Sequence, residues 1–193
     1  MIREAEDRDI PEIDLLIARV WDDRSTDLKC LAGESRFTSK ELPGHLQEPS
    51  NCTMVYVQPD GSIAGVLFLS SLGPTVVELG ITAFPYGRGT GTSLIERGIE
   101  AATACGVTEI YLDVFERNPA VLLYERHGFS VFDRQVVTNQ RGEELPLLRM
   151  RRSLGESLEK KTVVAVAQAP DNNRSWLELV MNKVRAGFRR QTY

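Results

Sequence analysis

Histidine and cysteine are scarce in this chain, with two histidines, His45 and His127, and three cysteines, Cys30, Cys52 and Cys105, among 193 residues. An odd number of cysteines without metal-ligand spacing gives neither a disulfide framework nor a zinc site. Two histidines leave little material for a triad or a histidine-based metal centre, so the chemistry is expected to need no metal. No run of apolar residues approaches the length of a membrane span, and the opening MIREAEDRD carries charge where a leader would have an apolar stretch. The expectation is a soluble cytoplasmic protein with no membrane partner. Positive charge is also in short supply: residues 1–154 hold 16 Lys and Arg against 23 Asp and Glu. That balance argues against nucleic acid as a partner and suits a cationic acceptor such as an amine. Residues 155–193 reverse it, with 7 basic residues against 4 acidic ones.

At 42% hydrophobic, the chain can bury a sizeable core in one domain and leave a short extension. Met1 to Ala5 reads as a short strand. Asp9 stands three residues before Glu12 as a capped start, and Ile13, Leu16, Ile17, Val20 and Trp21 then recur at helical spacing. A polar stretch over 22–50 contains one further helical piece near Thr38 to Leu46. Met54 to Val57 and Ile63 to Ser70 are strands joined across Asp60-Gly61, a hairpin signal, and Ser71 to Pro74 is expected to turn into a third strand. After a glycine-rich turn, Leu94, Ile95, Ile99, Ala102 and Cys105 share a helix face that ends at Gly106. Glu109 to Phe115, Phe129 to Val137 and Leu145 to Arg152 complete the strands, the last two turning around Asn139 to Gly142. In the extension, Thr162 to Ala167 is strand-like. Ser175 and Glu178 then open a helix with Trp176, Val180, Val184 and Phe188 on one stripe.

Chemistry concentrates between Val76 and Phe129. Gly87, Gly89 and Gly91 lie where a strand hands over to a helix, and they permit a tight turn and close approach of a ligand to the backbone. The N–H groups of a first helical turn are unpaired and sit at the positive end of the helix dipole, which suits phosphate. Arg88 adds a full positive charge. A nucleoside triphosphatase would need Lys after the last glycine, where Thr92 and Ser93 stand. A dinucleotide site would want glycine at position 94, which is Leu, although Asp113 lies roughly where its ribose-binding acid would fall. The glycines by themselves fit a structural turn equally well.

Tyr86-Gly87-Arg88-Gly89-Thr90-Gly91 resembles the pyrophosphate loop of the GNAT acyl-CoA N-acyltransferase superfamily, with Tyr86 where the family pattern has Gln or Arg. Asn118, Ala120, Tyr124 and Gly128-Phe129 resemble the next motif of the same family, in the same order. The resemblance covers residues 1 to about 154. It implies a mixed α+β fold: a mostly antiparallel sheet of six to seven strands with helices on both faces. It also implies acetyl-CoA as cosubstrate and an amine as acceptor. Main-chain groups near Gly80, Ile81, Thr82 and Ala83 would meet the pantetheine and the acetyl carbonyl, and residues from Tyr86 to Thr92, namely Tyr86, Gly87, Arg88, Gly89, Thr90, Gly91 and Thr92, the diphosphate. Asn118 is either a further ligand or simply the cap of the helix that begins at Pro119.

In the family a Tyr donates a proton to the departing sulfur, and Tyr124 stands in that place; it also fits as a core aromatic. A phenol with a pKa of about 10 stays protonated beside a thiol of about 8.5. Neutralising a lysine-like amine at pH 7 costs about 4.6 kcal/mol, against about 1.4 kcal/mol for an α-amino group. Asp113 and then Glu78 are the candidate bases, each equally readable as a paired structural acid. The expected activity is transfer of an acetyl group to a primary amine of a small molecule or peptide by direct attack. The alternative is a non-catalytic acyl-CoA-binding module of the same fold. Residues 155–193 form an extension that packs on the domain or mediates a homodimer.

Overall fold

The computed structural model describes residues 1–23, 42–138, 142 and 144–155. The expected start of the second helix, Cys30, most of the turn at 139–142, and the strand and helix of the extension lie outside the described residues. In chain order the elements are β1 (Ile2–Glu4), α1 (Ile10–Asp23), α2 (Leu42–Gln47), β2 (Cys52–Val57), β3 (Ile63–Gly73), β4 (Val76–Ala83), α3 (Thr90–Ala104), β5 (Glu109–Phe115), α4 (Ala120–Arg126), β6 (Ser130–Thr138) and β7 (Glu144–Ser153). The seven strands form one sheet in the order β1-β2-β3-β4-β5-β7-β6. Every neighbouring pair is antiparallel except β4 with β5.

That one parallel pair follows from connectivity. Parallel neighbours need a crossover long enough to return the chain to the same end of the sheet, and α3 supplies it. Helix α3 is amphipathic: Leu94, Ile95, Ala101 and Ala102 are buried, and they pack with Leu67, Leu79, Ile110, Leu112 and Met150 in the larger core. Each fully buried leucine or isoleucine contributes roughly 1.5–3 kcal/mol. Glycine lets the helix approach the sheet closely, because a Cβ at Gly98 would lie 2.7 Å from Leu67 Cδ1 and one at Gly65 2.7 Å from Thr90 Cγ2. On the other face, Ile13, Leu16 and Val20 of α1 and Leu42 of α2 cover Val55, Ile63, Val66 and Phe68. Helices therefore lie on both faces, as the family resemblance implies.

Two local expectations are corrected. Asp9 does not cap α1; its carboxylate accepts from the Glu6 N–H at 2.8 Å and from both terminal nitrogens of Arg3 at 2.6 and 2.8 Å. The sequence puts an acid before the helix, but a guanidinium on β1 competes for it with two charged donors. Glu12, the expected partner in that cap, instead accepts from the Ile63 N–H at 2.7 Å and fixes α1 to the start of β3. The turn expected at Ser71 to Pro74 starts later, since β3 runs to Gly73 with a register shift between Ser71 and Gly73. A bulge absorbs the polar residues that read as a turn.

Candidate active site

Strands β4 and β5 pair over only three positions, Val76 with Glu109, Val77 with Ile110 and Glu78 with Tyr111. Beyond these, β4 stays with β3 as far as Ala83 opposite Gly65, and β5 stays with β7 as far as Phe115 opposite Leu147. The sheet therefore parts into a V between residues 79–83 and 112–115. Phe84 N–H donates to Ala64 O on β3 at 2.9 Å. By strand alternation, the peptide groups of Thr82 and Gly80 also face β3, while those of Ile81 and Ala83 face the V. No ladder pair among the described residues takes them up. Polar backbone in such a place needs a partner, and a ligand laid along β4 supplies one.

The glycine loop stands at the mouth of the V. Gly87 and Gly89 hold φ of +74° and +81°, a left-handed conformation costly for other residues. Space is not the reason, since a Cβ at either would meet nothing within 4 Å. Gly89 is the N-cap of α3 and no side chain caps this end. The first backbone bond runs from Ser93 N–H to Gly89 O at 2.9 Å, so the N–H groups of Thr90, Gly91 and Thr92 are left for an anion. Arg88 is exposed in this turn. The Thr90 side chain is 5% exposed and packs toward Gly65, so only its amide can serve. Tyr86 is 44% exposed, and its ring meets Phe84 edge-on at 5.5 Å.

Helix α4 is held against this turn, where a Cβ on Gly91 would lie 3.3 Å from Leu123 Cδ2. Its start is shaped by Asn118, whose Oδ1 accepts from the Ala120 N–H at 2.9 Å. The helix begins one residue later than expected, with Pro119 as its N-cap and no side-chain cap bond there, and the Asn118 side chain holds the turn just before it. Tyr124 is 7% exposed, belongs to the larger core and meets Phe129 edge-on at 6.0 Å. Gly128, at φ +79°, then turns the chain into β6.

Both candidate carboxylates lie on the face of the sheet opposite Tyr124. Glu78 is level with Tyr111 at the fork of the V, and Asp113 follows on the diverging part of β5. Asp113 is ion-paired with Arg149 of β7, Nε to Oδ1, at 3.2 Å. Sequence reasoning missed Arg149, whose only signal is an alternating position in β7. Burial pushes the Cys52 thiol up to about 12, which makes it a poor nucleophile. Among the described residues there is no cluster of His, Cys, Asp and Glu suited to a metal ion, and no helix is long and apolar enough to cross a membrane.

A mixed sheet that parts at one parallel pair leaves an opening beside an uncapped helix N-terminus, an arrangement suited to a phosphate-bearing ligand. The model of the acetyltransferase (GNAT) family matches residues 17–129, and the chain belongs to that family. Its fold is similar to that of a GNAT-family acetyltransferase from Streptococcus pneumoniae, with 27% identity and a TM-score of 0.65 over 80% of this chain and 99% of that one. It is also similar to a GNAT-superfamily phosphinothricin acetyltransferase from Sinorhizobium meliloti solved with AcCoA, with 19% identity and a TM-score of 0.67 over 92% and 97% of the chains. The ribosomal-protein-alanine N-acetyltransferase of Brucella melitensis gives 20% identity and a TM-score of 0.67 over 80% and 99%. A search of curated proteins finds no match.

Proposed function

We propose that this protein transfers an acetyl group from acetyl-CoA to a primary amine of a small molecule or peptide by direct attack. The parting of β4 from β5 beside the glycine-capped start of α3 carries this reading. The residues fit acetyl-CoA: the peptide groups of Ile81 and Ala83 would hold the pantetheine arm, and the amides of Thr90, Gly91 and Thr92, with Arg88 nearby, the diphosphate. The bound cosubstrate supplies an activated thioester. Tyr124 approaches the V from the α3–α4 side and donates its phenolic proton where the thiolate departs. Asp113 and Glu78 stand on the other side, where an incoming amine gives up its proton, directly or through a water. Two faces of one opening thus separate proton donor from proton acceptor, as transfer in both directions requires.

Replacing Tyr124 with Phe tests this. Turnover is expected to fall about 100-fold, the low end for general acid catalysis, with coenzyme A affinity retained. Unchanged turnover removes the acid role. The binding-module alternative draws support from the pairing of Asp113 with Arg149. Thioester consumption against a panel of amines separates the two, because a module that only binds consumes none.

A further inference from the structure

On the sheet face that carries Asp113, α1 and α2 cover β2 and β3, while β5, β7 and β6 present a row of charge on the other side of the opening. Arg151 stands opposite Tyr111 and Arg149 opposite Asp113 in the β5–β7 register, so both guanidinium groups share this face. Phe132 joins them at the register shift between Val131 and Asp133. Its ring meets Tyr111 edge-on at 5.4 Å, with the guanidinium carbons of Arg149 and Arg151 6.0 and 5.6 Å from its centre. The acids of this part of the face already have donors. Glu109 accepts from the Tyr111 hydroxyl at 2.7 Å, Asp133 from the Arg134 N–H at 2.9 Å and from Gln135 Nε2 at 3.1 Å, and Asp113 from Arg149 Nε at 3.2 Å. That last bond uses one nitrogen of Arg149 and leaves its two terminal ones, and no carboxylate among the described residues pairs with Arg151. Forked cationic donors are therefore in surplus beside a candidate base.

We propose that Arg149 and Arg151 receive the carboxylate of the acceptor, so that the amine acetylated is that of a free amino acid and not of a polyamine or a peptide N-terminus. This rests on the acetyl-transfer reading above and names its acceptor. A planar guanidinium presents paired N–H donors at the spacing of carboxylate oxygens. The Phe132 ring gives both groups a surface to rest on, which reduces the side-chain freedom lost when a ligand binds. Position sets the length of the acceptor. Asp113 and Arg149 are direct neighbours on strands about 4.8 Å apart, so an amine bonded to Asp113 has Arg149 within reach of a group only a few bonds away. The amine and carboxylate of one amino acid match that separation. A polyamine would set its second cation against two arginines, and a peptide would offer them a neutral amide. The acidic balance of residues 1–154 still suits the amine, which arrives as the cationic half of a zwitterion.

Initial rates with acetyl-CoA are compared for the common amino acids, each beside its carboxamide. The amide is the less basic amine and holds more of its neutral form at pH 7, so amine reactivity alone favours the amide. The free amino acid is nevertheless expected to win, by about 10-fold or more in kcat/KM and mostly through KM. Arg151→Gln should bring that ratio to one or below, and Arg151→Lys, which keeps the charge without the fork, should lie between. Arg149 is left in place because it also pairs with Asp113. Calorimetric titration of the same amino acids into protein saturated with coenzyme A reads the site without turnover, and Arg151→Gln should weaken that binding by a similar factor. Amides that match or outrun their acids overturn the proposal, as does turnover confined to polyamines or an amino-acid panel that neither binds nor reacts. So does a preference for the acid that survives Arg151→Gln in a variant unfolding at the parent's temperature. Arg151-dependent binding with no thioester consumed by any amine upholds the carboxylate site and overturns the transferase reading alone.

Discussion

Gly89→Ala probes the proposed anion site at the start of α3 directly. The added methyl group meets nothing within 4 Å, so packing does not oppose it. The backbone does: φ is +81°, where an L-residue costs about 1–2 kcal/mol. For a chain of this size each kcal/mol lowers Tm by about 2–4 °C, so a fall of about 2–8 °C is expected by thermal unfolding without ligand. If instead φ relaxes, the amides of Thr90, Gly91 and Thr92 swing out of alignment. The loss then appears as weaker coenzyme A binding, several-fold or more, in calorimetric titration. Gly89→Asn, which tolerates the left-handed region better, should lie between Ala and Gly in both measurements. An alanine variant with unchanged Tm and unchanged coenzyme A affinity would refute the argument that this glycine is required by its conformation and that it aims the amides.

Gly98→Ala should lower stability by about 1–3 kcal/mol in denaturant unfolding, because its Cβ would press on Leu67 Cδ1 at 2.7 Å and force α3 off the sheet; a neutral result shows that Leu67 can move aside. The Arg3 hydrogen bonds hold the Asp9 carboxyl below its usual range. Unfolding frees that carboxyl to take up a proton near pH 3.9, so the stability it contributes is present above that pH and lost as pH falls through its depressed value. Asp9→Ala is therefore expected to cost about 1.5–3 kcal/mol at pH 7 and progressively less in strong acid, and a penalty constant with pH contradicts the pairing. Between the candidate bases, Asp113→Asn and Glu78→Gln are compared by pH–rate profiles on an amine substrate. The base is the one whose loss removes the acidic limb of the profile, and two unaltered profiles exclude both carboxylates.

The sequence by itself determined most of the elements. Period-2 patterns placed β2, β5, β6 and β7 within a residue or two of their observed ends, the period-3.6 stripe from Leu94 to Ala102 falls within α3, and the spaced glycines marked the turn into that helix, where Gly87 and Gly89 hold positive φ. These are local signals, because a residue's conformational freedom and the face it must bury depend on near neighbours. What the sequence could not fix was which partner a charged or main-chain group would meet at long range. Asp9 reads as a cap until Arg3 is brought beside it, Asp113 meets Arg149 only where β5 pairs with β7, and Glu12 reaches Ile63 far along the chain. The opening between β4 and β5 belongs to the same class. Nothing in either strand says that their pairing ends at Glu78 and Tyr111. That is decided by β3 and β7, which draw the two strands toward opposite halves of the sheet, and the V exists only once all four have assembled.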